Sequence, residues 1–136
     1  MGHGYFADTF YMIALLSPRD ARHREAKRMS RSMTGKVVTT EAVLLELGDA
    51  LCSPQDRLRT AAFIEELQGD ENTLIRSLEG DLLRKGIEFY KSRQDKNWGL
   101  TDCISFVVMQ EEGVTEALTG DAHFEQAGFR ILFPQS

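Results

Sequence analysis

Short apolar or β-branched runs alternate along this chain with longer stretches whose apolar residues recur at helical spacing. The first run, GYFADTF at 4–10, starts as a strand and then meets the polar pair Asp8–Thr9; DTFYMIALL carries enough apolar side chains for a buried helical turn. A Ser–Pro entry followed by good helix formers predicts a helix over 17–33. KVVTT at 36–40 is β-branched and of strand length. Val43, Leu44, Leu47 and Leu51 fall at helical spacing within 41–52, Pro54 closes that helix, and 55–69 supplies another, stopped by Gly69.

NTLIRS at 72–77 reads as a third strand, and within 79–94 Leu82, Leu83, Ile87 and Tyr90 form an apolar stripe. The stretch 100–113 reads as a helix begun by Thr101 or Asp102 and ended by Gly113. EALTG, DAHFEQAG and FRILF then give strand, short helix and strand. This alternation predicts an α/β fold with a parallel sheet covered on both faces. In such sheets ligands bind outside the carboxyl ends of the strands. With no repeat, low-complexity tract or linker, residues 1–136 read as one domain.

Composition narrows the class. A chain with 42% hydrophobic and 27% charged residues is expected to be globular, soluble and cytoplasmic. ISFVVM at 104–109, the longest apolar run, is too short to cross a bilayer, so no membrane association is expected. The opening has no basic n-region and carries Asp8, unlike a secretory signal, and Met1–Gly4 is compatible with residues left from an expression vector. Cys52 and Cys103 have no metal or redox spacing and read as reduced, core-facing thiols. The net charge of −5 argues against nucleic-acid binding by a global positive field. Between Pro18 and Lys36, however, seven cations face only Asp20 and Glu25, about +5 against about −10 for the rest. Charge alone equally describes a solvated helix face.

Four carboxylates occupy related places. Asp8 follows the first strand, Glu46 lies early in the helix after the second, Asp102 opens the helix before the fourth, and Asp121 follows the fourth. Strand exits and adjoining helix starts share one edge of a parallel sheet, so the four can converge. Like charges raise one another's pKa, and a hard divalent cation resolves that conflict through oxygen ligands. A metal so held can activate water and assist displacement at phosphorus. Asp102 and Asp121 equally read as helix caps. Asp8 is harder to explain away because it interrupts an apolar stretch, and Glu46 sits between Leu45 and Leu47.

FADTFYMIALL, VVTTEAVLLEL and LTDCISFVVMQEEGVTEALTGDAHFEQAGF resemble the successive motifs of the PIN-domain family, including the VapC-type ribonuclease toxins of toxin–antitoxin pairs. The resemblance spans nearly the whole chain, is weakest over 52–98, and is most specific at TGDAHFEQAGF. It implies a three-layer α/β/α domain around a parallel sheet of four to five strands, and Mg²⁺- or Mn²⁺-dependent RNA cleavage. Asp8, Glu46, Asp102 and Asp121 match the family's four acidic positions and would be the catalytic and metal-binding residues. Thr119 matches a frequent hydroxyl position and would hold a carboxylate or a water; Thr9 would act similarly. Arg19, Arg22 and Lys27 are the candidate contacts to the RNA backbone. The resemblance further implies a small cognate antitoxin and a homodimer, with Phe63, Ile64 and Leu67 as a contact stripe or as core.

Other readings separate on particular residues. A receiver-type signalling domain expects a lysine near the last strand, whereas the final lysine is Lys96; a dehalogenase-type phosphatase expects a second Asp where Phe10 stands. A non-catalytic RNA- or protein-binding module, and a PIN nuclease of RNA processing rather than a toxin, are the remaining alternatives. His23 and His123 are not required by metal-assisted hydrolysis, and His123 is expected to order the last helical turn. Trp98 is expected to anchor the core, with base stacking as the alternative.

Overall fold

The computed structural model describes residues 4–135; of the opening Met1–Gly4, the first three residues lie outside this range. Five strands form one fully parallel sheet: β1 (Gly4–Ala7), β2 (Lys36–Thr40), β3 (Thr73–Arg76), β4 (Glu116–Leu118) and β5 (Arg130–Ile131), in spatial order β3-β2-β1-β4-β5. The helices between them are α1 (Thr9–Leu16), α2 (His23–Ser32), α3 (Glu41–Ala50), α4 (Arg57–Gln68), α5 (Leu82–Ser92), α6 (Leu100–Glu112) and α7 (Ala122–Gln126). The three-layer α/β/α arrangement is the one expected, with the upper number of strands. No helix among the described residues is long and apolar enough to cross a membrane.

The core forms around the middle of this sheet. Phe6 and Ala7 on β1, Val38 on β2 and Ala117 and Leu118 on β4 are buried, and so is every residue of α6 from Cys103 to Met109. Phe106 meets Trp98 and Phe124 edge-on, with ring centres 5.1 and 5.0 Å apart, the offset that aromatic quadrupoles favour. Trp98 is buried as expected of an anchor, and its indole N–H donates to Gln126 Oε1 at 3.0 Å. Gly113, in the left-handed conformation at φ 69°, ends α6.

Several local expectations are corrected. The helix predicted from residue 17 begins at His23. Pro18 opens a turn instead, in which Asp20 N–H donates to the Ser17 carbonyl and the Asp20 carboxylate accepts from Arg22 N–H. Cys52 is exposed, because it lies in the turn beyond α3; Cys103 is buried. Phe63, Ile64 and Leu67, read as a contact stripe or as core, are partly buried and pack against the core.

The stripe on α5 is also misplaced. Leu83, Ile87 and Tyr90 are exposed, whereas Leu82 and Gly86 are buried and Phe89 packs on the core. The inward face is Leu82–Gly86–Phe89, at i, i+4 and i+7, and a hydrophobic pattern does not register its central glycine. Gly86 marks the close approach of α5 to α6: a Cβ there would stand 2.5 Å from Ile104 Cγ1. Gly86→Val is therefore expected to cost about 2–3 kcal/mol by overpacking, read as a lower urea midpoint with an unchanged m-value.

Candidate active site

β1 is the switch point of the sheet, since the chain moves from it to β2 on one side and later returns to β4 on the other. A crevice at the carboxyl end of such a strand is the expected ligand site. The β1–β4 register pairs Ala7 with Leu118, which brings Asp8 and Thr119 side by side. Thr119 Oγ1 donates to Asp8 Oδ2 at 2.8 Å and accepts from Asp121 N–H at 3.1 Å. Although Asp8 occupies the N-cap position of α1, its side chain makes no capping bond. The carboxylate is buried and accepts from Thr119 instead.

The other acids arrive on helices. Thr40 caps α3 by accepting from Val43 N–H at 3.1 Å, and Glu46 on that helix accepts from the Thr9 hydroxyl at 2.5 Å. Asp102, near the start of α6, accepts from Gly99 N–H at 3.2 Å. Asp121 caps α7, accepting from His123 N–H at 2.9 Å. Gly120, between Thr119 and Asp121, packs closely on α1 and on the segment following β5, since a Cβ there would meet the Phe10 ring at 2.7 Å and the Phe133 carbonyl at 2.8 Å.

Electrostatics bind the group together. Burial pushes the Asp8 carboxyl up to about 7; hydrogen bonds from the Thr119 hydroxyl and Thr9 N–H oppose this, and the charges of Asp102 and Glu46 add to it. Burial likewise raises Asp102, with His123 opposing and Asp121 reinforcing the shift. Among the described residues no lysine or arginine lies within 4.0 Å of any of the four acids; only the His123 imidazole does. One ligand atom from each of Asp102, Asp121 and His123 lies within 4.8 Å of the other two. Oxygen donors that are partly buried, mutually repelling and without a protein cation suit a hard divalent ion.

Asp8 is joined to Thr119 by a hydrogen bond and feels the charges of Asp102 and Glu46, and Glu46 is joined to Thr9. Asp8 and Glu46 nevertheless stand outside the close group formed by Asp102, Asp121 and His123. The three proposed RNA contacts do not behave alike. Arg22 is engaged: it pairs with Glu25 at 2.6 Å, donates to the Pro134 carbonyl, and sits over the rings of Phe10 and Phe133. Arg19 is exposed in the turn, and Lys27 lines a shallow cleft with His23, Arg24, Arg28 and Arg31. His23 is tied to α1, its Nδ1 2.7 Å from the Ala14 carbonyl. His123, expected only to order the last turn, has its imidazole against Asp102. Its position two residues after the Asp121 cap was the available signal, because both lie on one short turn.

Residues 5–130 match the family model of the PIN domain. Similar relatives include VapC20 of Mycobacterium tuberculosis, named a 23S rRNA-specific endonuclease, in strains H37Rv and CDC 1551. Each is 28% identical over 130 residues, covering 96% of this chain and 98% of the relative. The crystal structure of M. tuberculosis VapC20, called there a sarcin–ricin loop cleaving toxin, superposes with a TM-score of 0.82 at 28% identity. It covers 92% of this chain and 95% of that one. The VapBC2 structure from Rickettsia felis, bound to promoter DNA, shares the fold at a TM-score of 0.65 and 10% identity, over 94% and 96% of the two chains. With its parallel sheet, its acids at the strand exits and a family match over nearly its whole length, the chain belongs to the PIN-domain family.

Proposed function

We propose that this protein is a metal-dependent ribonuclease that hydrolyses RNA phosphodiester bonds as the toxin of a toxin–antitoxin pair. The carrying observation is the Asp8 carboxylate: buried, held by Thr119, and near enough to Asp102 and Glu46 to feel their charges, with no lysine or arginine among the described residues within 4.0 Å of these acids. The family match over 5–130 supports taking residues 1–136 as a single PIN domain. Asp8, Glu46, Asp102 and Asp121 would hold Mg²⁺ or Mn²⁺. Bound there, the ion supplies Lewis-acid stabilisation of the phosphate's developing charge.

The protein's own groups set the geometry for that chemistry. Thr119 fixes one Asp8 oxygen by donating to it, and the Thr9 N–H donates to the same carboxylate. Thr9 performs the same service for Glu46 from the first turn of α1. Asp121 is oriented by the start of α7, so its carboxylate is preset rather than mobile. Preset carboxylates avoid reorganisation when charge develops at phosphorus.

RNA would approach across the N-terminal end of α2. Arg22 holds that end against Phe10 and Phe133, the two residues that Gly120 approaches closely. Arg24, Lys27, Arg28 and Arg31 continue along one exposed helical stripe, spaced by three and four residues. The triple substitution Lys27→Ala, Arg28→Ala, Arg31→Ala is expected to weaken binding of single-stranded RNA. The slope of log K against log salt should become about 2 units shallower, at roughly 0.7 per phosphate contact. Filter binding across a salt series reads this directly.

The similarity to VapC20 supports a structured ribosomal RNA loop as the first substrate to test, and a cytoplasmic site of action. A cognate antitoxin would cover the crevice and neutralise its acids, with an arginine as the fitting group. A homodimer completes the reading and is checked by mass in solution. The function itself is tested by incubating purified protein with a labelled hairpin of 23S rRNA. Cleavage in Mg²⁺ or Mn²⁺ that stops on chelation supports it. RNA binding without cleavage under any divalent ion contradicts it.

A further inference from the structure

Among the described residues, the group whose ligand atoms stand close enough to share an ion includes a nitrogen: the His123 imidazole lies beside Asp102 and Asp121. Its Nδ1 lies 3.0 Å from Asp102 Oδ2 and 3.6 Å from Asp121 Oδ1. Adjacent donors on an octahedral ion with bonds of roughly 2.1 Å stand about 3.0 Å apart, and opposite donors about 4.2 Å. The Asp102–His123 separation, within hydrogen-bond range, also matches one edge of such an octahedron, and the Asp121–His123 separation is about 0.6 Å longer than an edge, so Asp121 would draw in on binding. The ring is held in place by its own backbone, whose N–H donates to Asp121 Oδ1 at 2.9 Å. It is partly solvent-exposed, with 31% of its side-chain surface accessible, so an ion can reach it without repacking the core.

Resting on the ribonuclease reading, we propose that His123 is a direct nitrogen ligand of the divalent ion, beside Asp102 and Asp121. The site is then a mixed nitrogen–oxygen one. Mg²⁺ gains little from an imidazole, whereas first-row transition ions accept it readily. His123 therefore biases the protein toward Mn²⁺ and Co²⁺ over Mg²⁺. A histidine that merely positions Asp102 would donate Nδ1–H to the carboxylate; a ligand presents the Nδ1 lone pair and carries its proton on Nε2. These roles need opposite tautomers and are spectroscopically distinct.

Pulsed electron paramagnetic resonance of the full chain loaded with Mn²⁺ alone tests this. The expected result is ¹⁴N coupling to the ion that persists in a His3→Gln, His23→Gln double variant and disappears in His123→Gln. In calorimetry, His123→Gln should weaken Mn²⁺ binding by at least about tenfold and Mg²⁺ binding by less than about threefold. Tight Mn²⁺ binding without ¹⁴N coupling in the wild type, or equal losses for the two ions, overturns the nitrogen ligand and leaves the carboxylate site intact. Failure of the wild type to bind Mn²⁺ at all overturns both readings.

Discussion

Asp8→Asn is expected to reduce RNA cleavage by about 10³-fold or more while leaving the fold intact. The substitution keeps the volume of the side chain and still lets an oxygen accept from the Thr119 hydroxyl, so the β1–β4 junction should close as before. What it removes is a buried negative charge that interacts with those of Asp102 and Glu46. Asp8 directly follows the central strand, with the charges of Asp102 and Glu46 close enough to raise its pKa. A neutral amide there is a poor ligand for a hard cation. Single-turnover cleavage of a labelled hairpin, at saturating RNA and Mn²⁺, measures the loss. Unchanged RNA binding by the same variant separates lost chemistry from lost recognition.

The same substitution is expected to make the metal-free protein more stable at alkaline pH. The folded-state pKa of Asp8, about 7, lies above its ordinary value of 3.8, so the folded chain binds a proton that the unfolded chain releases. That contribution to stability is fully present below about pH 4. It is lost progressively as pH rises through 7, and at one unit per 1.36 kcal/mol the loss approaches about 4 kcal/mol. Asp102 shifts in the same direction, again chiefly through burial. Urea melts in EDTA should find Asp8→Asn within about 1 kcal/mol of wild type at pH 4.5 and about 2–4 kcal/mol more stable at pH 8. Mn²⁺ should close most of that gap by stabilising the wild type and not the variant. A gap that is constant with pH would mean that the Asp8 charge is not buried in the folded state.

Much of the architecture was legible because its signals are local. A β-branched run such as KVVTT, Gly113 after α6 and the alternation of strands with helices each report on their own neighbourhood. The failures came where tertiary contact sets the outcome. On α5 the inward face is centred on Gly86, which has no side chain to count, so the pattern pointed to Leu83, Ile87 and Tyr90. Pro18 and Asp20 turned a predicted helix entry into a turn through side-chain hydrogen bonding that propensity scales average away.

The site divides in the same manner. Placing acids at strand exits follows from the parallel-sheet rule, but the pairing of Thr119 with Asp8 joins residues 111 positions apart and depends on strand order. Motif resemblance implied that Thr119 holds a carboxylate or a water, without naming Asp8 as its partner. Counting charges in 18–36 could not distinguish Arg22, which is spent on Glu25 and two aromatic rings, from Arg24, Lys27, Arg28 and Arg31, which face solvent. His123 was set aside on chemical grounds, since metal-assisted hydrolysis needs no imidazole, and only coordinates reveal it 3.0 Å from Asp102.

The central claim is that these acids share a divalent cation at the carboxyl end of β1. Anomalous diffraction from crystals grown with Mn²⁺ tests it most directly. The account predicts a strong anomalous peak within coordination distance of the Asp8, Asp102 and Asp121 carboxylates, absent from Asp8→Asn crystals prepared identically. Wild-type crystals at saturating Mn²⁺ with no peak in that crevice, or with peaks only elsewhere on the surface, would contradict it.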